Sequence, residues 1–309
     1  MKNGQGNKIG KKGLLKYLDD HLAQLFIVPA LICLALLVVY PALLTLYNSM
    51  TNLSMLTMSA NKFVGLKNYK TVLQGSEFWV SLLNSLVYTF FSILGQFVLG
   101  FISALALQRI TKGRTFFRTA FLIPWTFPSI ALTFLWSWML DPSFGILNFI
   151  LMKIGIISDP IPWFSMKSTA LASVIAMNIW FGFPFIMLSF CAGLQTIPVE
   201  YYEVGRIEGV NFFQELRYIV FPGLRRIIGV LLILRTIWVF NNYDFIFLTT
   251  GGGPNISSQT VPIYAYFTAW KRMAMGRGSA ITILLLVFVS LFIALYFKLF
   301  KINDQEADE

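Results

Sequence analysis

The chain has 309 residues, 57% of them hydrophobic and only 12% charged, with a formal net charge of +10. That balance excludes an ordinary soluble domain and reads as an integral membrane protein. Leu, Phe, Gly and Ala fill the apolar stretches without a ten-residue alternation, so an all-α integral membrane fold is expected rather than a β-barrel.

Residues 1–22 form a basic lead (Lys2, Lys8, Lys11, Lys12, Lys16) that also holds the lone His21 beside Asp19 and Asp20. A single His cannot build a metal site of three or four ligands, so no metal is expected. The first apolar stretch, 24–46, is long enough to cross a hydrocarbon core of about 30 Å. It has no small-residue cleavage site behind it, which reads as a retained span rather than a signal peptide. Further spans are expected at 81–107, 117–140, 169–193, 227–248 and 281–300, making six over the region 23–300, with a tail at 301–309. Cys33 and Cys191 fall inside spans, where a thiol is usually a packing residue.

Orientation follows from the cations. Arg109, Lys112, Arg114, Arg118, Arg206, Arg217, Arg225, Arg226, Lys298 and Lys301 share one side with the basic lead, against Lys62, Lys67, Lys70, Lys153, Lys167, Lys271, Arg272 and Arg277 on the other. The larger share marks the inner face, so both termini are expected in the cytoplasm. The surplus charge then sits near anionic membrane lipids and is not a nucleic-acid footprint.

No nucleophile and base arrangement, acidic pair or Cys/His cluster stands out, so the chain is not expected to be an enzyme. "GNKIGKK" at 6–12 lacks the glycine spacing and the hydroxyl residue of a phosphate-binding loop, so no cofactor is expected in this chain.

Between the fourth and fifth spans lies a charged segment, 198–222. Pro198 opens it, Glu200 and Glu203 suit the first turns of a helix, Gly209 stops that helix, "VNFFQEL" restarts one, and Pro222 precedes the next span. Two short helices with an elbow are expected. Val204, Ile207, Phe212, Phe213, Leu216 and Ile219 give them apolar faces, which an interfacial amphipathic loop would also show.

Two stripes inside spans stand out. Asn178, Phe181, Gly182 and Phe185 are spaced i, i+3, i+4, i+7 beside a kinking Pro184, and Arg235, Trp238 and Asn242 share a face of the fifth span. Arg235 lies about 12 Å in from Ile227 at 1.5 Å per residue. A charge there costs roughly 2.5 to 3.5 kcal/mol on insertion scales, so something must compensate it. An aromatic beside amides could hold a sugar, while helix packing explains the same residues structurally. Asp244 is expected near the outer boundary, paired with Lys271 or Arg272. Gly251, Gly252, Gly253 and Pro254 predict a tight outer turn.

The string Glu203, Val204, Gly205, Glu208, Gly209, Val210, then Ile219 and Pro222 resembles the EAA loop of ABC importer permeases. Val204 and Gly205 replace its two alanines, Glu208 its Asp and Phe221 the Leu before the proline, but the spacing is kept. "FVGLKNY" (63–69), "FRTAFLIPW" (117–125), "WFGFPF" (180–185) and "LTTGGGP" (248–254) are similar to the carbohydrate-uptake branch of that family. The resemblance implies a type I ABC importer permease fold with six transmembrane helices and a cytoplasmic coupling loop. It further implies a bacterial inner-membrane location, a second homologous permease completing a heterodimer, a cytoplasmic ATP-binding subunit dimer that binds and hydrolyses the ATP, and an extracytoplasmic solute-binding protein. By resemblance, Glu203, Val204, Gly205, Glu208, Gly209, Val210 and Pro222 couple to the ATPase. Residues matching Asn178, Phe181, Gly182, Phe185, Arg235, Trp238 and Asn242 line the sugar site of the maltose-type relative, although the position of Arg235 is small and polar there; that departure implies a cation that pairs with an acidic, uronate-containing saccharide or with an acid on the partner permease. A secondary transporter is the alternative, but neither inverted repeats nor a midplane acid is visible.

Overall fold

In the computed structural model the described residues are 22–57, 61–110 and 112–299; the basic lead with His21 and the 301–309 tail lie outside them. All named elements among the described residues are helical. Helix α1 runs over 22–49, α2 is Lys67–Gln74, α3 Ser76–Arg109, α4 Arg114–Thr126, α5 Ser129–Met139, α6 Ile146–Lys153 and α7 Ala170–Leu194. Next come α8, Val199–Ile207; α9, continuous over 212–240; α10, Asp244–Thr249; α11 over 261–271; and α12, Met275–Leu299.

Four helical runs among the described residues are long and apolar enough to cross a membrane: Ile27–Ser49, Ser76–Arg109, Ala170–Leu194 and Met275–Lys298. A fifth is reached if α4 and α5 count as one broken span, since they meet at 96°. Where the sequence suggests a straight span over 117–140, Pro128 removes a backbone donor and holds Phe127 extended (φ −74°, ψ 136°), which ends α4 and restarts the helix at Ser129. The stretch expected as a fifth span, 227–248, is the end of α9, a turn at Asn241 and then α10. Its helix Phe221–Phe240 has 20 residues but carries Arg225, Arg226 and Arg235, so composition alone does not mark it as a span.

Two prolines, Pro41 and Pro222, are accommodated by local widening of the turn before them. The turn Leu216–Val220 has i→i+5 bonding and lies directly before Pro222, so the ring meets no carbonyl four residues back and the helix passes through. Ala35–Val39 does the same before Pro41 in α1. Pro222 therefore does not separate the elbow from the following helix, as the sequence suggests it should.

α3 and α7 form the centre of the bundle. They approach closely because α3 offers glycines: a methyl at Gly95 would overlap Ile179, and one at Gly100 would lie 2.7 Å from Ile186 Cγ2 and 3.0 Å from the Met187 backbone nitrogen. Small residues at such crossings let helices gain dispersion contacts where lipid offers no hydrophobic drive. Ala104, Leu107, Met187 and Phe190 bury the lower half of the crossing, and Tyr88, Val174 and Met177 the upper half. By contrast, the most apolar window of the first span is 0% buried. Its ties to the bundle are at the far end, where Tyr40–Ser49 packs along α12 and Asn68 of α2 donates to the carbonyls of Ser49 (2.8 Å) and Thr51 (2.7 Å).

The Gly100 contact predicts that Gly100→Val, which must move α7 backbone, lowers stability by about 1–3 kcal/mol through overpacking. Thermal unfolding of the detergent-solubilised chain checks this, with Gly155→Ala, a position with nothing within 4 Å but positive φ, as a comparison affecting backbone strain only.

Candidate functional site

At mid-height of the bundle a polar chain crosses three helices. Arg235 on α9 donates from Nε to Gln96 Oε1 on α3 (2.8 Å). Gln96 donates from Nε2 to Asn178 Oδ1 (2.6 Å) and to the Asn178 carbonyl (3.0 Å) on α7. Asn178 donates from Nδ2 to the Tyr88 hydroxyl (2.8 Å), back on α3. All four are buried, Arg235 to 4% exposure. In a low-dielectric interior such a network is strong when every member is satisfied and costly when one is lost.

Gly182 makes room for it. A methyl there would overlap Arg235 Nη2 and the Gln96 amide, so the bare backbone of α7 is the floor on which the guanidinium rests. Over the guanidinium lie two rings, with Arg235 Cζ 6.0 Å from the Phe185 centroid and 5.8 Å from that of Trp238. Phe185 and Trp238 are 5.5 Å apart, and Trp125 of α4 adds a third ring 5.7 Å from Phe185. Trp125 and Trp238 are 42% and 50% exposed, so this is an aromatic wall facing out of the chain with a cation behind it.

The stripes read from the sequence are thus divided. Asn178, Gly182, Phe185, Arg235 and Trp238 come together. Phe181 instead packs edge-on against Phe245 of α10 (5.2 Å), and Asn242 lies past the end of α9 with its backbone N–H on Val239 O (3.1 Å). The Asn178 amide is spent on Gln96 and Tyr88 rather than turned to the wall. Gln96, Tyr88 and Trp125 were not singled out from the sequence, although a Gln inside "ILGQFVLG" is a polar residue in an otherwise apolar run.

Among the described residues Arg235 is in no ion pair. The ion pair among the described residues is at the other end of α3, where Arg272 binds both Glu77 oxygens (2.7 and 2.8 Å). This overturns the expected pairing of Asp244 with Lys271 or Arg272: Asp244 accepts from Ser129 Oγ (2.9 Å), and Lys271 lies 3.7 Å over the Phe267 ring. Beside the Glu77 pair, Gln259 donates to Ser81 Oγ (3.0 Å) and Val261 N–H to Ser85 Oγ (2.9 Å). These bonds lace the Gly251–Pro254 turn region to one polar face of α3. The turn itself is closed by Gly253 N–H to Thr250 O (3.0 Å), with Gly251 and Gly252 at φ 57° and 84°.

At the opposite end the expected elbow is present. α8 ends at Ile207, Gly209 turns the chain at φ 73°, and Asn211 and Gln214 cap the restart reciprocally (3.0 and 2.8 Å). Gly205 is buried because its Cα faces Ile219, where a methyl would sit 3.1 Å from Cδ1. Glu203, Val204, Glu208 and Gly209 are exposed, Val210 is half-buried and Pro222 exposed. Ile207 and Phe213 are 86% and 78% exposed, apolar side chains standing in the open at the elbow.

Residues 96–307 match the family model described as a binding-protein-dependent transport system inner membrane component. The trehalose/maltose transport system permease protein of Thermococcus litoralis is 34% identical over 92% of this chain and 95% of its own length. The sulfoquinovosyl glycerol transport system permease protein of Agrobacterium fabrum is 29% identical over 93% and 92%. Among solved structures, a bacterial ABC transporter involved in the import of the acidic polysaccharide alginate has a chain of the same fold, with TM-score 0.80 at 20% identity over 94% of this chain and 99% of that one.

The Gln96 bond predicts a non-additive pair. Gln96→Leu leaves the buried guanidinium without its acceptor and should cost about 2 kcal/mol. Adding Arg235→Met should recover part of that loss, because the isolated charge is then gone. Thermal unfolding of both variants in detergent measures it; a double variant as unstable as the sum of the singles contradicts the assignment.

Proposed function

The chain belongs to the binding-protein-dependent transport system inner membrane component family, and from that premise we propose that it is the permease subunit of an ATP-driven importer of sugars or oligosaccharides. It forms half of the translocation path, and a second homologous permease supplies the other half. A cytoplasmic ATP-binding subunit dimer binds and hydrolyses the ATP, so this chain needs no cofactor of its own. An extracytoplasmic solute-binding protein delivers the substrate to the Gly251–Pro254 side. The location is a bacterial inner membrane with both termini in the cytoplasm.

The observation that carries the coupling is the unbroken run of helix over 212–240. One end is the second half of the exposed elbow; the other holds Arg235 and Trp238. A push on Phe213 by a docked ATPase is transmitted along a single rod to the aromatic wall, and a push on Ile207 reaches that rod through the turn at Gly209. Because Arg235 is hydrogen-bonded to α3, movement of that rod must carry α3 with it or break the bond. Alternating access then amounts to two arrangements of the α3–α7–α9 group against the partner permease.

The substrate class follows from the wall. Exposed Trp125 and Trp238 with half-buried Phe185 can cover the apolar face of a sugar ring. Behind them stands a buried guanidinium that is in no ion pair among the described residues. An acidic, uronate-bearing oligosaccharide fits both features. The relatives named above are consistent with sugar transport and include both neutral and acidic solutes in their names.

Two expectations test this reading in the assembled transporter. Gly209→Pro cannot adopt φ 73° and should leave membrane insertion intact while abolishing uptake and solute-stimulated ATP hydrolysis; normal uptake by this variant would contradict the coupling role. Arg235→Gln should lower uptake of an acidic oligosaccharide roughly tenfold, about 1.4 kcal/mol of lost interaction, while sparing a neutral one. Equal loss for both would assign Arg235 to structure alone.

A further inference from the structure

A second collection of cations lies away from the aromatic wall, at the elbow end of the bundle. α3 ends with Arg109; Gly113, at φ 76°, turns the chain into α4, which opens with Arg114 and carries Arg118 one turn later. α8 brings Arg206 to the same place. Between the ends of α3, α4, α7 and α8 is a cavity of about 620 Å³ whose lining includes Gln108, Arg109, Arg114, Tyr202, Arg206 and Glu215. Three guanidiniums thus face one space with a single carboxylate.

That arrangement is electrostatically incomplete. None of Arg109, Arg114 or Arg206 is in an ion pair among the described residues. Arg109 stacks over the Phe212 ring at 5.0 Å, which uses its face and leaves its N–H edges free. Arg114 stands in the first turn of α4, the end of a helix that disfavours cations, with no acid in that turn and Arg118 repelling it at i+4. A polyvalent anion in the cavity would relieve all of these at once, and guanidinium forks arriving from different helices suit an acceptor with oxygens on several sides. The volume is within the range of small-ligand pockets.

We infer that this cavity binds a phosphate-bearing anion, the headgroup of an anionic phospholipid or a soluble phosphate. The site is separate from the wall formed by Trp125, Phe185 and Trp238 and uses none of the residues assigned to coupling, so it does not rest on the transport reading. Its walls come from both the bundle (α3, α4, α7) and the elbow (α8 and the first turn of α9). A bound anion would therefore brace the elbow against the bundle, and occupancy would set how stiffly the two are joined.

The test uses the full-length chain in nanodiscs. In one arm the lipid is phosphatidylcholine alone and binding of radiolabelled inorganic phosphate is measured by equilibrium dialysis. In the other, phosphatidylglycerol is mixed in, and the molecules retained after transfer to neutral detergent are counted by native mass spectrometry. The wild-type chain should bind in at least one arm; phosphate alone identifies a soluble ligand, phosphatidylglycerol alone a lipid headgroup. The Arg114→Gln/Arg206→Gln variant should lose at least tenfold of that binding. Arg114→Lys/Arg206→Lys, which keeps the charge, should retain most of it and guards against misfolding. Arg225→Gln/Arg226→Gln, outside the cavity lining, should bind like wild type. No binding by the wild type in either arm, or an equal loss in the Arg225/Arg226 variant, overturns the site.

Discussion

The hydrogen bond from Arg235 to Gln96 is the constraint on which the rest of this structure depends. A guanidinium inside an apolar bundle is tolerated only if its donors are met, and here an amide on a different helix meets one of them. Gln96 can accept only because its own amide group is held by Asn178, and Asn178 in turn is held by Tyr88. The chain of donors and acceptors fixes the relative height of α3, α7 and α9. It also explains Gly182, since any side chain there would displace the guanidinium.

From that fixed point the two ends of the chain acquire their character. Toward the elbow, α9 continues through Pro222 because the widened turn at 216–220 removes the clash a proline causes in a regular helix. Toward the other side, α3 presents Glu77, Ser81 and Ser85 at intervals of four, and the segment after the Gly251–Pro254 turn is stitched to that face. The bundle is therefore a rigid unit with an apolar-tipped elbow at one end and a laced loop at the other. In the proposed importer these are the sites where a motor and a delivery protein would act.

Much of this was legible in the letters. The long apolar runs located α1, α3, α7 and α12 because a membrane-length hydrophobic stretch has few other uses, and the glycine at 209 marked the elbow because only a left-handed turn needs it there. What could not be read was tertiary. The partner of Arg235 is 139 residues away in sequence, and no local pattern announces it. Helical periodicity put Phe181 and Phe185 on one stripe, yet the neighbours decide which ring faces which space, and α10 claims Phe181. The break at Phe127–Pro128 was written in the sequence, but the apolar run across it outweighed the proline. Pro222 was the reverse case, a breaker whose effect is cancelled by the turn before it.

The central claim is that elbow and aromatic wall ride on one rod. Spin labels at Phe213 and Trp238, on a helix rising 1.5 Å per residue, should be about 37 Å apart. Pulsed dipolar spectroscopy of the assembled transporter should find that distance unchanged in position and width between nucleotide-free and ATP-bound states, while the distance from Phe213 to a label on the partner permease shifts. A within-helix distance that moves by several ångströms or broadens on ATP binding would place a hinge at the widened turn and contradict the account.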